Sequence, residues 1–562
     1  MDRAGLEAMR DSMVRRGPDG AGTWIAEDGR VGFAHRRLAI IGLGDAGAQP
    51  MVSADGRLVI VFNGEIYNYK VLRAELEAQG VRFATATDTE VLLQLYRRDG
   101  RALVERLRGM YAFAIWDLDK RGLLLARDPF GIKPLYYADD GRGLAFASQV
   151  KALQAGGLSG GLDAAGAVGF FLFGAVPEPF TIDRAVRSLP AGHTLWADEK
   201  GSAEPSAFFD LGCELAAPGP ASDLPEALRD SIAHHLVADV PVGVFLSAGL
   251  DSATIAALAS EAHGAGLHSF TLGFEEFRGT ARDEVPFAEA AARAFATAHR
   301  TRRVAAPDFA AARDDLLAAM DQPTIDGVNT YFVARAARET GLKVALSGLG
   351  GDELFGGYDT FRQVPRLVGA LGWIPGGRVL GKGLRAVSAS FLRGRTSPKW
   401  AGVLEYGTRY GDAYLLRRGL FMPWELPEAL DPDLVREGWR RLDPLARLDA
   451  LQAPLADPRR KVQVLETSWY MRNQLLRDAD WAGMAHSLEI RVPLVDIGLF
   501  RAIAALEAGK RDMARAVGAR LPEVILNRPK TGFFIPVQDW LQGVGAEPGY
   551  RGWAKRVFAA FS

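Results

Sequence analysis

An apolar run, VGVFL, leads into the small-residue loop Ser247-Ala248-Gly249-Leu250-Asp251-Ser252 and then into the helical pattern ATIAALASEA. A second apolar run, HSFTLGF, and a second helical pattern, VPFAEAAARAFA, follow at once. Strand, loop, helix and strand in that order commit this part of the chain to a parallel sheet with helices on both faces. KVALSGL, Lys343 to Leu349, reads as another strand of the same sheet, and it too runs into glycines. After Thr360 the pattern turns mostly helical, rich in Trp and Arg.

The first third of the chain follows another grammar. RVGFAH, RLVIVFNGEIY, MYAFAIWD, GLLLARD, PLYYAD and GLAFAS are short apolar runs split by turns, which predict strands. YKVLRAELEAQG and TEVLLQLYRRDG carry apolar residues at three- and four-residue spacing and end on glycine, which predicts two helices. Residues 1–17 read as a helix already under way, without the apolar stretch of a secretory signal. The expected organisation is a strand-rich α+β domain over 1–200, a Ser/Gly/Pro/Ala linker over 201–223 and a second domain over 224–562.

Composition narrows the partners. With 67 Lys+Arg against 68 Asp+Glu there is no overall basic field for nucleic acid. One cysteine, Cys213, excludes an internal disulfide framework and a zinc site built on several thiolates, and it fits a cytoplasmic location. Val168 to Pro177 is too short to span a bilayer, and Val364 to Leu392 is too broken by Arg, Lys, Gly and Pro, so no membrane segment is expected.

The loop Ser247 to Ser252 stands where an open α/β sheet places its ligand, and its small residues let backbone N–H groups close on an anion. As a bare pattern it is equally a helix start capped by Asp251 or Ser252. It lacks the lysine of the kinase-type phosphate loop. Ser347-Gly348-Leu349-Gly350-Gly351-Asp352-Glu353 offers two acids after glycines, a pattern that suits Mg2+ bridging phosphates or else a turn with solvated acids. Arg528-Pro529-Lys530-Thr531-Gly532-Phe533 holds a lysine that could neutralise departing pyrophosphate.

Taken together, VFLSAGLDS, SFTLGF, SGLGGDELFGGY, DWAGMAHSLEIRVPLVD and RPKTGF resemble the synthetase domain of the glutamine-hydrolysing asparagine synthetases. RRGPDG, HRRLAIIGL, the QPM at Gln49, FNGEIYNY, LRGMYAFAIWD and ARDPFGIKPLYY are similar to that family's glutaminase domain. The resemblance implies an N-terminal-nucleophile αββα sandwich followed by a Rossmann-like ATP-pyrophosphatase domain with a mostly helical C-terminal part. It implies ATP and Mg2+ as cofactors, glutamine and a carboxylate acceptor as substrates, and a homodimer. One domain would free ammonia from glutamine; the other would join a carboxylate, by default L-aspartate, to AMP and let ammonia displace the AMP.

Carried over residue by residue, Arg37 would hold the glutamine α-carboxylate, Asn63 and Gly64 the oxyanion, and Glu65 and Asp88 the substrate amine. The backbone of Leu246 and Leu272 would face the adenine, and Ser247, Gly249, Asp251, Ser252, Ser347, Gly348 and Lys530 the phosphates. Asp251 and Asp352 would hold the metal, with Asp352, Lys530 and Asp480 as catalytic candidates. Asp480, Glu489 and Arg491 read equally as ion-pair partners.

Two departures matter. The family's glutaminase uses an N-terminal cysteine whose own α-amine is the base, whereas Met1 is followed here by Asp2. The expectation is that an upstream Cys-Gly-Ile strand belongs to this protein; the rival is an enzyme that uses free ammonia or closes an internal amide, as the β-lactam synthetases do. A regulator that binds nucleotide or glutamine without catalysis is the third reading. The second departure is Leu349, where the family carries a glutamate base, and it weakens aspartate as the acceptor. Elsewhere the readings are structural: of His234 and His235 one solvated and the other packed at a helix end, His486 hydrogen-bonded, and Trp373, Trp400, Trp439, Trp469, Trp481 and Trp553 in the core or in helix packing.

Overall fold

The computed structural model describes residues 2–264, 266–392, 398–528, 536, 540 and 549–561. Lys530 and residues 541–548 of the tail lie outside the described residues.

Alternation along β4 (Leu58–Ile66) builds the first domain. Ile60 and Phe62 face the helices Tyr69–Ala78 and Asp88–Asp99, while Val59 and Val61 face a second layer of strands. The sheet containing β4 is antiparallel, with β3 (Met51–Val52) on one side and β5 (Gly109–Asp117), β6 (Gly122–Arg127), β10 (His193–Asp198) and β11 (Gly201–Ser202) following on the other; β12 (Ser206–Ala207) also pairs with β10. The opposing layer comes in two pieces. One is the hairpin β1 (Gly20–Ile25) and β2 (Gly32–Arg37); the other is β7 (Tyr136–Asp139) flanked by β8 (Leu144–Ala147) and β9 (Arg187–Ser188). The helices Arg3–Ser12 and Val150–Ala155 cover this layer through Met9, Met13, Val150 and Leu153. Two sheets face to face with helices outside make the expected αββα sandwich.

The segment 201–223, expected as a linker, carries β11 and β12, which extend the first sheet, and a short helix Leu211–Ala216 whose Leu211 and Leu215 enter the core. Its Ser, Gly and Pro content marks short edge strands and turns as well as a connection.

The second domain is a five-stranded, all-parallel sheet in the order β15 (Ala298–Val304), β14 (His268–Phe274), β13 (Val242–Phe245), β16 (Val344–Leu346), β17 (Glu489–Arg491). The chain runs outward from β13 in one direction and then crosses to β16, so the switch point lies between β13 and β16. Ligands of such sheets bind in the crevice at the carboxyl ends of those two strands. Helices Leu250–His263 and Val285–Ala294 pack on one face. Val328–Arg338 and Arg477–Met484 pack on the other through Ala334, Ala337 and Ala479. A single apolar cluster runs from β4 and β5 into β13 and Leu250–His263, so the two domains share a core. Among the described residues no helix is long and apolar enough to cross a membrane.

Trp469, Trp481 and Trp553 are buried as expected, but Trp373 and Trp400 are exposed. His235 is buried against the Tyr67 ring at 4.2 Å, and His486 sits 4.3 Å from the Tyr331 ring, bonded to the Tyr331 backbone while its Nε2 is buried without a partner.

Candidate active sites at the two sheet ends

The two glycine loops meet at the switch point. Ser252 pins the first: its Oγ accepts from the Ser247 N–H at 3.0 Å and lies 2.9 Å from Ser247 Oγ. The second loop abuts it so closely that a methyl group at Gly351 would stand 2.5 Å from the Asp251 carboxyl carbon, and one at Gly348 3.0 Å from the Ser252 nitrogen. Gly350 adopts φ +88°, a conformation that only glycine takes without strain. The glycines are therefore what allows two backbones and one carboxylate to converge.

Lys510 completes this convergence and was invisible to motif reading. Its Nζ lies 2.9 Å from Asp352 Oδ1 and touches both oxygens of Asp251, and these two acids raise the ammonium's pKa although burial opposes it. The next acid, Glu353, turns elsewhere. It is buried, accepts from the Tyr358 hydroxyl at 2.9 Å, and burial together with neighbouring Asp352 pushes its carboxyl up to about 7. Leu349, partly buried, packs on the apolar cluster that includes Ala345 and Ile490. Leu246 is committed within the sheet: its N–H donates to Phe270 and its carbonyl accepts from the Thr271 hydroxyl, while Leu272 lies opposite Arg302 on β15.

In the first domain a cavity of about 390 Å³ opens between the layers, lined by Arg37, Asn63, Gly64, Glu65 and Asp88 among others. All five predicted glutamine-site residues are thus brought together. Gly64 has φ +143°, and a methyl there would stand 2.0 Å from the Met110 carbonyl. Asp88 opens its helix and accepts from the Ile66 N–H at 3.1 Å; burial pushes its carboxyl up to about 6 against that hydrogen bond. Arg37 donates to the carbonyls of Gly42 and Gly44, each at 2.6 Å, so its guanidinium also holds the loop above the cavity. Asn63 Nδ2 donates to Ser148 at 3.2 Å. His35, also lining the cavity, contacts the Phe62 carbonyl at 3.2 Å through Nε2, and burial lowers its pKa to about 4.

Glu65 joins the two sites. Its Oε1 lies 3.4 Å from Arg491 Nη2, its Oε2 is buried without a partner, and burial pushes its carboxyl well above the usual range despite Arg491. Arg491, fully buried, donates to Glu489 at 2.9 Å and to the carbonyls of His235 and Val237. Its own carbonyl accepts from the Ser347 N–H at 2.8 Å, at the base of the second glycine loop. Lys133 pairs with Glu489 at 3.1 Å.

Asp480, expected as a catalytic candidate, forms a buried two-point ion pair with Arg16 at 2.6 and 3.0 Å. That ion pair joins the domains. Among the described residues no cluster of three or more His, Cys, Asp or Glu stands ready for a metal.

Residues 1–208 match the family described as glutamine amidotransferase domain, and residues 223–556 the family described as asparagine synthase. A Mycobacterium tuberculosis protein named "Putative asparagine synthetase", glutamine-hydrolyzing, is 37% identical over 577 residues, covering 96% of this chain and 85% of its own. Asparagine synthetase 1 of Bacillus subtilis, glutamine-hydrolyzing, is 34% identical over 554 residues, covering 96% and 84%. Asparagine synthetase B of Escherichia coli is 33% identical over 373 residues, covering 63% and 61%.

Proposed function

Since the chain belongs to the asparagine synthase family, in the form that carries a glutamine amidotransferase domain, we propose that it makes an amide from a carboxylic acid at the expense of ATP. In the first step a carboxylate oxygen attacks the α-phosphorus of ATP and pyrophosphate leaves. In the second, ammonia attacks the acyl carbon and AMP leaves. The observation that carries this reading is the meeting of both glycine loops around Asp251, Lys510 and Asp352 at the switch point.

The chain's own residues divide the work. The start of helix Leu250–His263, which no side chain caps, offers an anion backbone N–H groups and a favourable dipole, while the Gly249 N–H before it donates to the Ser247 hydroxyl at 3.2 Å. Lys510 supplies a buried cation for the charge that grows on departing pyrophosphate. Asp251 and Asp352 turn oxygens to one cation position, and two converging hard ligands fit Mg2+. When bound there, the ion would neutralise phosphate charge. Leu349 cannot take the proton lost by the attacking ammonia. Glu353, held to about 7 beside Tyr358, is the base we assign.

Ammonia comes from glutamine in the 390 Å³ cavity, where Glu65 and Asp88 face the substrate amine. Met484 lines both this cavity and a small one beneath Lys133, Ile490 and Val492, which together give a covered route toward the second domain. The nucleophile is not Cys213, which is exposed on the helix Leu211–Ala216 and does not line the cavity.

Aspartate is the acceptor implied by the relatives' names, and Leu349 argues against it. Incubating the protein with ATP, ammonia and a carboxylate panel tests the reading: AMP and pyrophosphate released only with both acid and ammonia support it, and ADP with phosphate contradicts it. Glutamate released from glutamine by the same protein tests the source of the ammonia.

A further inference from the structure

A second cavity, of about 280 Å³, lies where the two domains and the C-terminal helix meet; Phe173, Ile325, Asp326, Arg418, Trp469 and Tyr470 are among its walls. We propose that it binds the acceptor, and that the acceptor is a carboxylic acid carried on a ring rather than aspartate. This rests on the amide-forming reading above.

Placement is the first argument. The helix Val328–Arg338 leads back across the sheet into β16, so the loop before it, with Ile325 and Asp326, stands at the carboxyl ends of the strands, the side that holds the glycine loops. An isolated bridge between Ala175 and Thr324 fastens the first domain onto that loop. The cavity and the acid loop share a wall. Tyr358, bonded to Glu353, lies under the Arg418 guanidinium at 4.3 Å, and the same guanidinium lies 3.9 Å over Tyr470.

Construction is the second. Trp469, Tyr470, Asn473 and Gln474 reach the cavity from Glu466–Leu476, an eleven-residue π-helix. Such windings are rare, normally a single turn, and concentrate at functional sites. Bonding from i to i+5 is what brings positions i, i+4 and i+5 onto one face. Trp469 is 6% exposed, and its indole N–H is buried without an acceptor in the protein. An unmade hydrogen bond of that kind costs about 1–3 kcal/mol, which an oxygen of a bound molecule would recover.

Chemistry selects the class. Binding aspartate by its α-carboxylate would require a cation to spare. Arg418 is the one Arg or Lys among the described lining residues, and both oxygens of buried Glu466 already take its Nε–H, at 3.0 and 3.1 Å. Asp326 adds negative character and is buried near Asp478, another carboxyl. A second carboxylate is therefore unwelcome, whereas a monoacid leaves no charge behind once AMP is attached to it. Five aromatic rings stand among the walls: Phe173, Tyr414, Trp469, Tyr470 and Tyr550 offer faces that a flat molecule covers and a four-carbon chain does not. The volume lies near the lower end for pockets that enclose drug-sized molecules, about 300 Å³.

The test measures ammonia-dependent AMP release from ATP by the full chain with L-aspartate, D-glucuronate and 4-hydroxybenzoate as probes. We expect at least one ring acid to exceed aspartate in kcat/KM by tenfold or more. Trp469→Ala and Tyr470→Ala should then raise the KM for that acid tenfold or more and leave the KM for ATP within twofold, which also shows that each variant is folded. Aspartate as the best acid overturns the ring assignment, and an unchanged acid KM in both variants overturns the cavity. Absence of AMP release with all three acids, while ATP still binds, overturns the amide-forming reading itself.

Discussion

Two buried acids, Asp88 and Glu353, carry much of the site chemistry, and each has a different partner. Asp88 stands at about 6 because burial outweighs the backbone N–H that it accepts. An unfolded aspartate titrates near 3.9. Since the folded value is the higher one, the stability contributed by Asp88 is full below about pH 4 and lost as pH rises through 6. Asp88→Asn should therefore stabilise the protein at pH 7 by up to roughly 3 kcal/mol, a gain that vanishes near pH 4, and should abolish glutamine binding. Urea denaturation at both pH values, with calorimetric titration of glutamine, checks both halves. Glu353, at about 7, predicts a second pH effect: ammonia-dependent turnover should rise with pH through that value as the carboxylate forms. Glu353→Gln should cut kcat at least a hundredfold, flatten that limb of the profile and leave the KM for ATP nearly unchanged.

At the scale of elements, function is set by how closely backbones approach. Gly351 leaves no room for a methyl beside the Asp251 carboxylate, so Gly351→Ala should displace that acid from Lys510 and lower kcat/KM for ATP tenfold to a hundredfold. Steady-state kinetics at fixed acid and ammonia would show it; activity within twofold of wild type would refute the placement. These loops were legible in the sequence because strand, glycine loop and helix are local signals, and so was the Asn63-Gly64-Glu65 segment near the end of strand β4. Lys510 was not, because it lies 259 residues from Asp251 and stands in no pattern of its own. The π-helix was equally silent, since its apolar residues read as an ordinary helix. Within 201–223 the two short strands were silent because strands of two residues carry too few positions for alternation to register.

Across the whole molecule, buried charge joins the domains: Arg16 to Asp480, Lys133 to Glu489, Arg491 to Glu65, and Arg108 to Asp496 at 2.7 Å. Spans such as the 464 residues between Arg16 and Asp480 explain why the sequence offered Asp480 as a catalytic group when the fold uses it as a bond. Asp480→Ala strands a buried guanidinium and should cost about 3–5 kcal/mol of stability. Below its lowered melting transition it should retain ammonia-dependent turnover within a few fold; a loss of kcat at full stability would return Asp480 to the chemistry. The account as a whole rests on a carboxylate oxygen attacking the α-phosphorus of ATP. The direct measurement supplies a carboxyl-18O acid that supports turnover, with ATP and ammonia, and reads the label by mass spectrometry. One labelled oxygen in AMP is the result the account predicts. Unlabelled AMP, or label in inorganic phosphate beside ADP, would contradict it.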